Sequence, residues 1–125
     1  MLLPGGICPD AAETKVGFVA KTSAPSESTH YDANYARFTS DLYTAIRSEA
    51  FGEDIGQNSW LTASEQNAFL PLLNLSPGRN LLDVACGSGG PALRIVVKTG
   101  CSLVGIDLHE QAISTGVTEQ SRTLR

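Results

Sequence analysis

Three glycines and two carboxylates carry the clearest chemistry in this sequence. Gly87, Gly89 and Gly90 lie within four residues, at the end of the run LLDVACGSGG from Leu81 to Gly90. Glycine permits positive φ and lets a ligand approach the backbone closely. The apolar stretch Asn80 to Ala85 before them reads as a short buried strand. Pro91 behind them sits where the first turn of a helix tolerates proline. The loop thus offers free amide N–H groups at a helix N-terminus, a site suited to anions and carboxylates. Asp107 follows the next apolar stretch, Ser102 to Ile106. In nucleotide-binding βαβ units, an acid there accepts hydrogen bonds from ribose hydroxyls.

Two cofactor readings compete. Gly87-x-Gly89-x-x-Ala92 satisfies the dinucleotide pattern, and Asp107 stands 18 residues beyond Gly89, against about 20 in that pattern. On the glycines alone, a nicotinamide- or flavin-dependent oxidoreductase stays open. Asp83 weighs against it. A carboxylate inside an apolar strand is costly unless something binds it. A pyrophosphate would set a second anion across the turn from it. S-adenosylmethionine brings an α-ammonium group and a sulfonium charge, which an acid at the strand end suits.

Asp83-Val84-Ala85-Cys86-Gly87-Ser88-Gly89-Gly90 resembles the first motif of class I S-adenosylmethionine-dependent methyltransferases, and Val104-Gly105-Ile106-Asp107-Leu108 resembles the family's next motif. The resemblance runs from about Tyr31 to Gly116. It implies that Asp83 serves the methionine side of the cofactor. It also implies that Ala85, Cys86, Gly87, Ser88 and Gly89 give the backbone approach, and that Asp107 and Leu108 lie at the ribose. GEDIGQNSW, Gly52 to Trp60, is similar to a segment that covers the methionine end in some small-molecule methyltransferases. Gln57, Asn58, Ser59 and Trp60 are its candidate contacts.

Blander roles stand beside these. Cys86 has no basic neighbour in sequence and reads as a small packing residue. Trp60 reads equally as a core anchor or a cofactor lid. His30 and His109 read as surface residues near helix starts, and Glu53 and Asp54 as solvated loop charges. Tyr31, Tyr35, Phe38, Leu42, Ala45 and Ile46 have ordinary helix-face spacing. Asp83 has a structural alternative too, as a cap on backbone N–H groups.

The surrounding elements must hold these groups in place. Residues 1 to 29 have loop composition, with Lys15 to Ala20 a short strand or an extended arm. One helix is expected from His30 to about Ala50, with Thr29 as N-cap and Asp32 in an imperfect capping box. The polar loop from Phe51 to Leu61 follows. A second helix is capped by Thr62 and Glu65, and Pro71 kinks or shortens it. From Asn80 the order is strand, helix, strand, helix, with Gly100 ending the first of these helices. That order implies a parallel βαβ unit with a right-handed crossover.

The chain has 125 residues, 42% hydrophobic and 18% charged, which suits one globular domain and not a disordered chain. A net charge of −4 gives no general attraction to nucleic acid or anionic membranes. Three cysteines without a CxxC pair argue against a disulfide framework. No run reaches the roughly 18 apolar residues of a membrane helix, and no signal peptide is read. A cytoplasmic location is expected.

The expected fold is therefore α/β. It is a Rossmann-like methyltransferase fold represented by its first two parallel strands, with a helical N-terminal extension. Residues 1–29 form an irregular arm, 30–79 a helical cofactor cover, and 80–125 the start of the S-adenosylmethionine-binding domain. The resemblance implies methyl transfer to a small-molecule acceptor, with no metal and no nameable base. A non-catalytic cofactor-binding or interaction remnant is the alternative, beside the oxidoreductase. The family's fold resembles a longer sheet, so the chain is expected to be an N-terminal portion of a longer protein or a truncated gene product. Alone, it is expected to be marginal, homo-oligomeric or aggregation-prone.

Overall fold

The computed structural model of the chain describes residues 14–20 and 29–124. Cys8 and most of the N-terminal arm lie outside that set, as do the side chains behind the readings at Thr29, His30 and Asp32. Three short apolar runs become strands: β1 (Val16–Ala20), β2 (Asn80–Val84) and β3 (Ser102–Asp107). All pair in parallel, in the order β1-β3-β2.

This corrects the expected pair of strands. The third strand comes from Lys15 to Ala20, the stretch left open between strand and arm. β3 is then central among the described strands, and the loop-bearing β2 is at an edge. A five-residue strand is too short to announce itself by period, and its partner is remote: Val16 registers with Leu103. The main-chain bond from Leu103 N–H to the Lys15 carbonyl, 2.8 Å, begins the pairing. Lys15 N–H donates to Ser102 Oγ at 3.1 Å beside it.

The helices α4 (Gly90–Thr99) and α5 (Glu110–Thr123) cover one face of the sheet. Ala92, Leu93, Ile95 and Val96 of α4 are buried with Cys101 and Leu103, and Phe18, Leu70 and Leu81 pack against them. Gly100 stops α4 with φ +70° and an N–H bond to the Val96 carbonyl. Strand alternation sends the other side chains to the opposite face. There Val19, Leu82, Val84, Val104 and Ile106 are exposed.

The helix expected over residues 30–50 is two: α1 (Thr29–Ala36) and α2 (Asp41–Phe51). Ser40 breaks it, taking an extended conformation and accepting from Tyr43 N–H as the N-cap of α2. The expected single apolar face breaks with it. Tyr35 and Phe38 are buried with Ala112 of α5, while Leu42 and Ile46 are 67% and 51% exposed. Gly52, at φ +76°, ends α2.

The capping box at Thr62 is present in both halves and opens α3 (Ala63–Phe69). Pro71 then tightens the chain into a 3₁₀ turn over Leu70–Leu73. Among the described residues no helix is long and apolar enough to cross a membrane.

Candidate functional site

The site is built on the turn from β2 into α4. Ala85 leaves the strand at φ +60°, unusual for a residue with a β-carbon. Such a conformation costs roughly 1–2 kcal/mol and collects at functional turns. Gly87 and Gly89 continue at φ +57° and +72°.

Asp107 holds the loop from the next strand. Its Oδ2 accepts the Gly87 N–H at 2.7 Å and its Oδ1 the His109 N–H at 2.9 Å. A carboxylate has about four acceptor sites. Two are used here, and the rest face a cleft. On the other side, Ser88 Oγ donates to the Gly56 carbonyl at 3.4 Å, tying the loop to the segment after α2. A β-carbon at Gly90 would collide with the Ile55 and Gly56 carbonyls, so the two backbones touch.

Two clefts flank the loop. The smaller, about 220 Å³, is lined by Asp83, Ala85, Cys86, Gly87 and Ser88, with Ser59 opposite. The larger, about 740 Å³, takes Ala85, Asp107 and Leu108 with Val19, Tyr31 and His109. Tyr35, Asn58 and Ala85 line both, so the clefts form one trough around the loop. Among the described residues, no Lys or Arg lines either cleft.

Asp83 is half-buried in the smaller cleft. Burial first, and then the charge of Asp107, push its carboxyl above the ordinary aspartate range, with no donor among the described residues to offset them. The alternative role for Asp83, a cap on backbone N–H groups, is therefore not what the structure shows. Burial and the two carboxylates push the Cys86 thiol up to about 12, which leaves it an unreactive packing residue. Burial also raises the Tyr35 hydroxyl, although its bond to Asn58 works the other way.

Several expected contacts fall elsewhere. Gln57 is buried and engaged in its own loop: Oε1 accepts the Ile55 N–H at 2.8 Å, and Nε2 donates to the Glu53 carbonyl at 3.3 Å. Trp60 is 92% exposed, so it is neither a core anchor nor part of either cleft. Gly89 caps α4 below the clefts. Asp54 is not a solvated loop charge. It accepts two bonds from the Arg47 guanidinium, at 2.7 and 3.0 Å, and one from Gly56 N–H at 2.8 Å.

Sequence reasoning missed Val19, Tyr31, Tyr35 and His109 as cleft residues. Tyr31 and His109 meet with ring centroids 5.1 Å apart over the larger cleft. Tyr31 and Tyr35 gave a signal, as members of the apolar stripe. A third cleft, about 480 Å³ behind the loop, is lined by three arginines, each paired: Arg47 with Asp54, Arg94 with Glu53, Arg122 with Glu119. Among the described residues it has no spare cation for an anion. No metal-holding group of three acids, His or Cys occurs among the described residues.

The chain is 37% identical over 88 residues to the sterol 24-C-methyltransferase of Schizosaccharomyces pombe, covering 65% of this chain and 22% of the relative. It is 46% identical over 46 residues to phosphoethanolamine N-methyltransferase 1 of Zea mays, covering 37% and 9%. This chain is a homologue of methyltransferases. The resemblance to the S-adenosylmethionine-dependent methyltransferases carried by residues 83–90 and 104–108 is thereby borne out, over partial stretches. A third methyltransferase, 24-methylenesterol C-methyltransferase 2 of Oryza sativa subsp. japonica, is 44% identical over 43 residues, 34% of this chain and 12% of its own. The chain spans less than a quarter of the length of these methyltransferases. No family model matches it.

Proposed function

We propose that the chain holds the cofactor-binding part of an S-adenosylmethionine-dependent methyltransferase of Rossmann-like architecture, working in the cytoplasm on a small-molecule acceptor. Residues 30–79 act as its cover. The observation that carries the reading is the charge of the trough. Asp83 and Asp107 stand at its two ends, and among the described residues Asp83 has no donor or cation and no Lys or Arg lines the trough. A dinucleotide's pyrophosphate would meet two acids and, among those residues, no Lys or Arg to offset them. The α-ammonium and sulfonium of S-adenosylmethionine would meet what they need, and Asp107 keeps acceptor sites for a ribose diol. When bound, the cofactor supplies an electrophilic methyl group. The chain's own residues bind and orient it.

S-adenosylhomocysteine and NADH titrated separately by calorimetry test this reading. S-adenosylhomocysteine is expected to bind and NADH not. Asp83→Ala is expected to lose about 1.5–3 kcal/mol of that binding, roughly ten- to a hundredfold. Tight NADH binding without a response to S-adenosylhomocysteine would sink the proposal. Transfer of a labelled methyl group to a sterol or to phosphoethanolamine, the acceptors in the relatives' names, tests catalysis. Binding without transfer across such a panel favours a non-catalytic module.

A further inference from the structure

β1 lies outside the motifs, yet one of its side chains touches the backbone of three other elements. Phe18 points to the helical face of the sheet, away from both clefts, while its neighbours Val19 and Ala20 line the larger one. A β-carbon added at Gly89, the cap of α4, would lie 2.5 Å from Phe18 Cε1 and 2.7 Å from Cζ. One added at Gly105 of β3 would lie 2.7 Å from Phe18 Cδ1, and 2.9 Å from Cys86 Sγ. One added at Gly116 of α5 would lie 2.9 Å from the Ser88 carbonyl oxygen and, at 3.6 Å, in ordinary contact with Phe18 Cζ. Gly89 and Gly105 thus leave room for the phenyl ring, and Gly116 leaves room for the loop backbone at Ser88.

Two of those glycines sit where glycine is a liability. Gly105 is inside a strand and Gly116 inside a helix, and each weakens its element by roughly 0.5–1 kcal/mol against alanine. The space at Gly105 lets the ring sit directly under the loop, and the space at Gly116 lets α5 approach the loop backbone at Ser88. The loop is also held through Asp107 and Gly56, and Tyr35 packs against Gly87. β1 is itself held by β3 along its whole length and by Gln120 Nε2, which donates to the Val16 carbonyl at 3.4 Å.

We propose that β1 is a working part of the cofactor site and that Phe18 is its positioning residue. The ring sets the height of the glycine loop, so ligand affinity is coupled to the docking of β1. This rests on the cofactor reading above. The coupling is reciprocal: a ligand that needs the seated loop must also hold β1 in the sheet.

The test uses the full chain with S-adenosylhomocysteine as probe. Phe18→Ala is expected to bind it at least tenfold more weakly, at a temperature where its circular dichroism matches the unsubstituted chain. Phe18→Leu, which refills part of the space, should bind more tightly than Phe18→Ala. Leu42→Ala, on the exposed side of α2, should bind as the unsubstituted chain does. Saturating ligand should also slow amide exchange across Val16–Ala20. A folded Phe18→Ala chain with unchanged affinity overturns the inference and spares the cofactor reading. So does exchange in β1 that ignores the ligand, and this measurement decides alone if Phe18→Ala does not fold. An unsubstituted chain that fails to bind overturns both.

Discussion

At the scale of single residues, Asp83 sets stability against binding. Its carboxyl is raised by burial and by Asp107, so the folded chain holds that proton more tightly than the unfolded chain. Its contribution to stability is therefore full below the ordinary aspartate value, about 3.9, and is lost as pH rises through the folded value. Asp83→Asn removes the charge and keeps the shape. At pH 7 this variant should melt at or above the temperature of the parent chain, and the difference should vanish in acid. Its affinity for S-adenosylhomocysteine should fall at the same time. Thermal melts at pH 3 and pH 7 beside calorimetry check both halves. A variant that melts lower at pH 7 would show that Asp83 has a partner in the fold.

At the scale of elements, an ion pair ties α2 to the segment that follows it. Arg47 of α2 grips Asp54 with two nitrogens, donates to the Phe38 carbonyl at 2.8 Å and lies 4.2 Å from the centre of the Phe38 ring. Burial opposes ionisation of Asp54, but the Arg47 fork and the Gly56 N–H outweigh it and hold the carboxyl below its usual range. Removing one partner of such a pair costs about 3 kcal/mol or more. Arg47→Met should therefore lower unfolding stability by about that much in urea at pH 7. A carboxyl with a lowered folded pKa contributes stability above its unfolded value and loses it as pH falls through the folded value. The gap between parent and variant should accordingly narrow toward pH 3. A constant gap would assign the effect to lost packing against Phe38.

At the scale of the whole molecule, the described residues cover the sheet on one side only. Leu82 and Val104 are paired in register and 62% and 46% exposed, with Val84 and Ile106 as the next row. Parallel strands normally bury both faces, and apolar patches of this kind promote association. The 125-residue chain is therefore expected to self-associate with rising concentration. Leu82→Lys with Val104→Glu places an opposite-charge pair on that face. It should shift sedimentation toward the monomer and leave ligand affinity unchanged, because neither residue lines a cleft. A sedimentation profile unmoved by the pair would rule this face out as the contact.

Local chemistry was legible in the sequence. The loop from Asp83 to Gly90, the second acid at Asp107, the Thr62 capping box and the Gly100 stop follow from residue types acting within a few positions, where backbone sterics and side-chain caps decide the outcome. The relation to methyltransferases was legible for the same reason, since it lies in two short motifs. What was not legible depends on residues far apart in the chain. The break at Ser40 competed with a spacing that suited one long helix. Trp60 was free to face solvent because nothing in the fold needed its area. Tyr35, read as core, lines the trough because its helix packs on α5 beside the loop. Above all, Lys15 to Ala20 was open between strand and arm. A strand's hydrogen bonds go to another segment, and only the tertiary structure names β3 as the partner and puts Phe18 beneath the loop.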